Sequence, residues 1–310
     1  MSVYLIVEAA DETAASGLVY EKYRIPLSLY PDNSPVLNMG SGGLVQIPQL
    51  MTSRFIEGLL VNYTTYMDFV SAMDFAFTMN QHRYGLKTLY LPYLPGARQD
   101  KPRDLVSEKE NTGDVLMTLD FTARMIRNAG FNEVVVLDIH SEKAVSILKN
   151  QGLLVREVNP IPDLDYSKYD GVISPDAGAV DRAVAVAQQN NLPVFFGQKH
   201  RDPQTNKLSG FSVSKLPTHA HYLVIDDICD GGGTFIGLAE EIAKERAKAD
   251  LFVTHGLFTH GAAERLKRVY NEVFTTDSLG YSADGVTVVP TVNRMFYLPL
   301  RELYITQGER

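Results

Sequence analysis

The stretch His221-Tyr-Leu-Val-Ile-Asp-Asp-Ile-Cys-Asp-Gly-Gly-Gly-Thr234 decides how this sequence folds, because it joins an apolar run to a glycine-rich loop. The run Tyr222 to Ile225 predicts a buried strand, and the apolar spacing between Phe235 and Lys248 predicts a helix. Glycines let backbone amides approach an anion closely, and the helix N-terminus adds partial positive charge. The stretch therefore predicts a strand, a phosphate-sized loop and a helix.

Four polar side chains surround these glycines. Asp226 and Asp227 follow the apolar run, Asp230 precedes the glycines, and Thr234 follows them. A hydroxyl donor beside backbone amides suits a phosphate group, and paired carboxylates suit the hydroxyls and the metal ion that accompany a sugar phosphate. The alternative is an ordinary glycine-rich turn with the acids as solvated caps, which gives no reason for this combination of residue types.

Composition limits the function classes. The 310 residues allow about two domains, and contents of 45% hydrophobic and 21% charged residues are typical of soluble globular chains. The formal net charge of -8 argues against nucleic acid or a membrane surface as a partner. The single cysteine, Cys229, has no disulfide partner, which favours a reducing, cytoplasmic setting. The apolar run at residues 3–7 is too short for a signal peptide or a membrane span, so we expect neither.

Short apolar runs alternate with helical patterns along most of the chain. We expect strands at residues 3–9, 88–93, 134–137, 171–173, 193–196, 251–254, 272–275 and 286–289, and helices at 67–81, 115–128, 142–150, 180–189 and 262–270. Such alternation implies parallel sheets. Because Pro160-Ile-Pro-Asp163 is the best candidate boundary, we expect two tandem doubly wound parallel-sheet α/β domains, at residues 1–158 and 159–310.

Acids and histidines follow several predicted strands, where ligands of open parallel sheets bind. These residues are Asp138, His140, Asp176, Asp226 and Asp227, and the basic pair Lys199 and Arg201 follows another strand. Taken singly, His140 also fits a satisfied structural histidine, and Asp176 also fits a helix cap. Their joint placement at strand ends favours a catalytic site.

Five segments resemble the ribose-phosphate diphosphokinases, also called phosphoribosyl diphosphate (PRPP) synthetases. The loop stretch resembles their PRPP loop, which they share with type I phosphoribosyltransferases. The other segments are Leu91-Pro-Tyr-Leu-Pro-Gly-Ala-Arg-Gln-Asp-Lys101, Leu137-Asp-Ile-His140, Ile173-Ser-Pro-Asp-Ala-Gly178 and Thr254-His-Gly-Leu-Phe258. The resemblance covers most of residues 67–265 and implies two domains of the phosphoribosyltransferase type.

The resemblance also implies a role for each candidate residue. Arg98, Gln99 and Asp100 would contact ATP, His140 and Asp176 would help to hold Mg²⁺, and Lys199 and Arg201 would form the Lys-X-Arg of the catalytic loop. Asp226 and Asp227 would hold the ribose 2- and 3-hydroxyls, and Asp230, Gly231, Gly232, Gly233 and Thr234 would cradle the 5-phosphate. The implied reaction is transfer of the diphosphate of ATP to the C1 hydroxyl of ribose 5-phosphate. The resemblance also implies a homo-oligomer, either a dimer or a hexamer.

Two departures from the family pattern keep other functions open. Asn38, Gly40 and Gly42 stand where the family has the Phe, Asp and Glu that read adenine. Gly231 replaces a threonine of the phosphate loop, and the wider pocket would admit a 5-substituted acceptor such as ADP-ribose. A PRPP-consuming phosphoribosyltransferase and a non-catalytic regulatory homologue are the remaining alternatives.

Overall fold

The structure is a computed structural model that divides into two compact units, Met1–Val158 with Asn293–Arg310, and Asn159–Val292. It describes the backbone of residues 2–9, 19–25, 27–29, 35–37, 56–81, 85–99, 118–201, 208–280 and 282–297. Side chains are described for residues 58–81, 85–99, 118–198, 210–280 and 282–296. The predicted domains, 1–158 and 159–310, remain a prediction, and they differ from the units in the placement of residues 293–310.

The first unit is built around one mixed sheet. Its strands are β1 (Ser2–Ala9), β2 (Val19–Ile25), β5 (Ile56–Asn62), β6 (Thr88–Tyr90), β7 (Glu133–Leu137) and β8 (Leu154–Val158), and a separate ribbon pairs β3 (Leu27–Leu29) with β4 (Pro35–Leu37). The helices are α1 (Tyr66–Gln81), α2 (Thr118–Asn128), α3 (Glu142–Asn150) and α7 (Arg294–Tyr297). In the described part of this unit the strand order is β2-β1-β5-β6-β7-β8, in which β5 to β8 are parallel and β1 is antiparallel to both of its neighbours.

The second unit holds a longer, mainly parallel sheet. Its strands are β9 (Gly171–Ser174), β10 (Val194–Arg201), β11 (Leu208–Val213), β12 (His221–Cys229), β13 (Lys248–Gly256), β14 (Val273–Thr276) and β15 (Thr287–Val289). Its helices are α4 (Val180–Gln189), α5 (Gly233–Lys244) and α6 (Ala262–Leu266), with 3-10 turns at Tyr166–Lys168, Ala177–Ala179 and Thr259–Gly261. The strand order among the described residues is β11-β10-β9-β12-β13-β14-β15, and β11 alone of these runs antiparallel to its neighbour.

The alternation of parallel strands and helices confirms the predicted α/β class. The antiparallel strands β2 and β11 were not predicted, because their sequences lack a continuous apolar run. Strand β12 is also longer than the apolar run that predicted it, since it continues through Asp226 and Asp227 to Cys229. The acid pair therefore lies within the last residues of the strand and not in the loop that follows it.

Strand β12 is central in the second sheet and is covered on both faces. Tyr222 and Val224 pack into a cluster with α5 and α6, whereas Leu223 and Ile225 pack into a cluster with α4. Burial on both faces explains why this strand reads as a continuous apolar run. Among the helices that the structure describes, none is long and apolar enough to cross a membrane.

A buried carboxylate ties together the amino ends of the strands in the second sheet. The Asp250 side chain is 0% exposed, and its carboxylate lies 3.0 Å from Nζ of Lys168. It also accepts a hydrogen bond of 2.8 Å from the Tyr169 hydroxyl and lies 3.0 Å from Nε2 of His221. Burial opposes ionisation, but the contacts with His221, Lys168 and Tyr169 outweigh it and lower the pKa of Asp250. Lys168 also pairs with Glu272 at the rim of this group.

Candidate active site

The candidate site lies at the carboxyl edge of the second sheet. Strand β9 leads into Asp176, and β12 carries Asp226 and Asp227 near its end, before the glycine loop. The 3-10 turn that follows Asp176 contacts both β10 and β12. The fold therefore brings together the predicted phosphate loop, the acid pair and Asp176, at the edge where parallel sheets bind ligands.

The two carboxylates of β12 are largely buried. The side chain of Asp226 is 13% exposed and that of Asp227 is 8% exposed. Each is held by the next backbone amide: Asp227 N donates to Asp226 Oδ1 at 2.9 Å, and Ile228 N donates to Asp227 Oδ1 at 2.7 Å. Burial and the adjacent charge of Asp227 raise the pKa of Asp226 well above its usual range, and Arg182 opposes that rise. The pair is thus a fixed group of acceptors at the end of the strand.

Arg182 is a site residue that the sequence analysis missed. It lies in the first turn of α4, with Nη1 3.5 Å from Asp226 Oδ1 and Nη2 3.9 Å from Asp227 Oδ2. One signal was present, since helix α4 follows the strand end that carries Asp176. What the sequence did not show is that β9 and β12 are neighbours, which places this helix beside the acid pair.

The glycine loop has the backbone geometry that its sequence predicts. Gly232 adopts φ 75°, in the left-handed region, and caps helix α5. The first turn of α5 contains no acidic residue, so the helix N-terminus keeps its partial positive charge for an anion. Gly231 and Gly233 border open space, because a Cβ added at either one would meet nothing within 4 Å.

The segment after β13 braces this loop. The Thr259 hydroxyl donates to the Asp230 carboxylate. Arg265 Nη2 donates to the carbonyl of Gly231 at 2.9 Å and to that of His260 at 3.4 Å. Neither Thr259 nor Arg265 was predicted from the sequence. Together they fix both the carboxylate that opens the loop and the carbonyl that follows it.

We expect Gly232→Ala to destabilise the fold by about 1 to 2 kcal/mol, which is the cost of a left-handed conformation for a residue with a Cβ. The added Cβ would also lie 3.3 Å from that of Ala262. Urea unfolding of the purified chain measures the change. Gly233→Ala is the matched control, since its Cβ meets nothing and α5 begins there. Equal losses in the two variants would contradict this account of the loop.

Asp176 has a structural role as a cap. Its Oδ1 accepts a hydrogen bond of 2.9 Å from Gly178 N and caps the 3-10 turn. This is the helix-cap role that the sequence left open. The carboxylate is half-buried at the sheet edge. Its assignment to metal binding remains a prediction.

The remaining candidates belong to the first unit or to strand β10. His140 is exposed and follows Asp138, a buried residue with φ 43°, and Ile139 N donates to Glu157 Oε1 at 2.9 Å. Arg98 and Gln99 are exposed in the turn after β6. Asp100, Asn38, Gly40 and Gly42 lie outside the described residues. Lys199 and Arg201 lie in β10, but their side chains are outside the described part.

Within the described residues, no group of three or more His, Cys, Asp or Glu side chains could hold an ion. Mg²⁺ keeps several waters and binds through one or two carboxylates together with substrate phosphates, so it does not need such a group. The exposed His140 and the half-buried Asp176 fit that limited contribution, each at the end of a strand of its own unit.

Comparisons with known proteins agree with the resemblance seen in the sequence. No protein-family model matches the chain. It is 32% identical to a ribose-phosphate pyrophosphokinase of Mycoplasma genitalium over 60% of this chain and 54% of that protein, so it spans about half of that relative. It is 28% identical to the ribose-phosphate pyrophosphokinase of Sulfurisphaera tokodaii over 90% of this chain and 92% of that protein.

A solved structure supports the fold. The chain is similar to the phosphoribosylpyrophosphate synthetase of Mycobacterium smegmatis, with a TM-score of 0.62 and 22% identity over 76% of this chain and 78% of that one. This likeness confirms the predicted phosphoribosyltransferase-type architecture. In sequence the chain is similar to ribose-phosphate pyrophosphokinases, and in fold it is similar to a phosphoribosylpyrophosphate synthetase.

Proposed function

We propose that the chain is an ATP-dependent diphosphokinase that transfers the β,γ-diphosphate of ATP to the C1 hydroxyl of ribose 5-phosphate, giving PRPP and AMP. The observation that carries the proposal is the buried acid pair Asp226 and Asp227 directly beside an open glycine loop at a helix N-terminus. A sugar phosphate carries vicinal hydroxyls and an anionic group, which are the groups that these two parts suit. The relatives named ribose-phosphate pyrophosphokinase support the same reaction.

On the acceptor side, the loop amides and the Thr234 hydroxyl bind the 5-phosphate, and Asp226 and Asp227 accept hydrogen bonds from the ribose 2- and 3-hydroxyls. Charge-assisted hydrogen bonds of this kind are stronger than neutral ones. The acid pair lies in strand β12, and the loop joins that strand to helix α5. The sugar is thereby oriented with its C1 hydroxyl directed away from the loop.

On the donor side, Arg98, Gln99 and Asp100 bind ATP, and Lys199 and Arg201 stabilise negative charge that develops on the transferred diphosphate. The C1 hydroxyl attacks the β-phosphorus, the bond to the α-phosphate oxygen breaks, and AMP leaves. Phosphoryl chemistry of this kind depends mainly on alignment and charge neutralisation. His140 and Asp176 would help to hold Mg²⁺, which would supply further charge neutralisation to the substrate phosphates.

The test is AMP formation by the purified chain with Mg²⁺, ATP and ribose 5-phosphate, without a nucleobase. Turnover that Lys199→Ala abolishes is the expected result. Consumption of PRPP only when a nucleobase is present would mean a phosphoribosyltransferase instead. Absence of AMP, together with altered turnover of an active synthetase on mixing, would mean a regulatory homologue.

A second acceptor class is favoured by the space at Gly231. A Cβ added at Gly231 would meet nothing within 4 Å. The Arg265 guanidinium donates a hydrogen bond to the Gly231 carbonyl, so a cation lies at the edge of the loop. A 5-substituted ribose phosphate with a second phosphate, such as ADP-ribose, fits that arrangement. If the chain uses 5-substituted acceptors, ADP-ribose should support AMP formation. Gly231→Thr should then lower kcat/KM for ADP-ribose more than kcat/KM for ribose 5-phosphate. Equal effects on the two acceptors would exclude it.

We also propose that the chain acts in the cytoplasm in nucleotide biosynthesis, as a homo-oligomer. The lone and buried Cys229 supports the reducing setting. Light scattering on the purified chain measures the oligomeric state.

A further inference from the structure

Arg182 stands in an unusual position relative to the two acids. Asp226 and Asp227 are consecutive in β12, and consecutive side chains of a strand point to opposite faces of the sheet. Nevertheless, one guanidinium lies within 4 Å of both carboxylates. The two nitrogens of the fork each face a different acid, which a lysine ammonium could not reproduce.

The acid pair needs such a partner if both of its members are to accept hydrogen bonds. Two adjacent carboxylates that are mostly buried repel each other, and burial further disfavours the second charge. A pair in that state retains a proton, and a protonated carboxyl group loses part of its capacity to accept. Two vicinal hydroxyls, by contrast, require two acceptors.

We propose that Arg182 is a positioning residue that orients Asp226 and Asp227 together and opposes the retention of a proton by the pair, so that the pair binds two vicinal hydroxyls of a sugar phosphate. The inference rests on the proposed function for its ligand, but not for its electrostatic part. Arg182 does not touch the reacting atoms in this scheme. It acts on substrate only through the two carboxylates.

The elements packed around the acid pair carry both charged and apolar side chains. Helix α4 contributes the guanidinium, and β13 places the apolar Val253 beside Asp226. The 3-10 turn carries Asp176 as its cap, which adds negative charge to the same edge. The Arg182 guanidinium lowers the pKa of Asp226, whereas the adjacent charge of Asp227 raises it.

The first measurement is the KM for ribose 5-phosphate. We expect Arg182→Met to raise KM for ribose 5-phosphate by about 10- to 100-fold at neutral pH, because the hydrogen bonds to charged acceptors weaken. KM for ATP and kcat should change little. Arg182→Lys should recover part of the loss, since it restores the charge but not the fork. Arg268→Met, a replacement of an exposed arginine in the same unit, is the matched control and should leave KM unchanged.

The second measurement needs no substrate, so it separates this inference from the proposed function. Without Arg182 the pair retains a proton more strongly in the folded state, so the stability lost in Arg182→Met should increase as pH rises from 5 to 8. Urea unfolding at several pH values measures this loss. A loss independent of pH would mean that Arg182 only packs against the strand, and would overturn the inference. A pH-dependent loss in a chain that makes no AMP would retain the inference and overturn the function.

Discussion

The Asp227→Ala variant is expected to lose about 100- to 1,000-fold in kcat/KM for ribose 5-phosphate, measured as AMP formation with Mg²⁺ and ATP. Asp227 is 8% exposed, and its Oδ1 is already held by Ile228 N. Removal of the carboxylate takes away a charged acceptor that is fixed before the sugar arrives. It also leaves Arg182 with one of its two acids.

Two further variants show what this loss means. Asp227→Asn keeps the shape but not the charge, so it should recover only a small part of the activity. Asp284→Ala removes an exposed acid of the same unit and should leave kcat/KM unchanged. Thermal unfolding of each variant checks that the fold is intact. Wild-type turnover of ribose 5-phosphate by a folded Asp227→Ala chain would exclude the acid pair as the hydroxyl-binding group.

The Asp250→Ala variant is expected to lower the free energy of unfolding by about 3 kcal/mol at neutral pH. The fully buried carboxylate is the common partner of Tyr169, His221 and Lys168, so its removal strands three polar groups. Lys168 is 32% exposed and retains Glu272, which limits the penalty on its own charge. Urea unfolding measures the change, with Asp284→Ala as a control expected within about 0.5 kcal/mol of wild type.

The contribution of Asp250 to the free energy of unfolding depends on pH. The pKa of Asp250 is lower in the folded chain than its usual value, so its contribution to stability is present above the unfolded pKa of about 3.9 and is lost as pH falls through the folded pKa. The stability difference between wild type and Asp250→Asn should therefore be larger at pH 7 than below pH 4. A difference that grows on acidification would contradict the ionised state of this carboxylate.

The sequence predicted the parts of the site that lie on one continuous stretch. Strand, glycine loop and helix follow each other from His221 onward, so local pattern alone was sufficient for them. Arg182 was missed because its partners are far away in sequence and meet it only through the pairing of β9 with β12. Arg265 and Thr259 were missed for the same reason.

Asp250 shows a second limit of the sequence. One acid near the start of an apolar run looks like a solvated charge at a strand end. Only the packed structure shows that Tyr169, His221 and Lys168 converge on it. The antiparallel strand β2 was missed differently, because its charged residues interrupt the apolar pattern that predicts a strand.

The two ends of strand β12 have different roles. His221 at its start belongs to the buried group around Asp250, whereas Asp226 and Asp227 near its end face the candidate site. Asp226 and Asp227 follow His221 by five and six residues, which corresponds to roughly 17 to 20 Å of strand. Substitutions that far apart usually have additive effects on stability. Directed evolution of the acceptor pocket can therefore vary Gly231 and its neighbours in a chain that is first stabilised near the start of β12. Stabilising substitutions at that end should leave the choice of substrate unchanged.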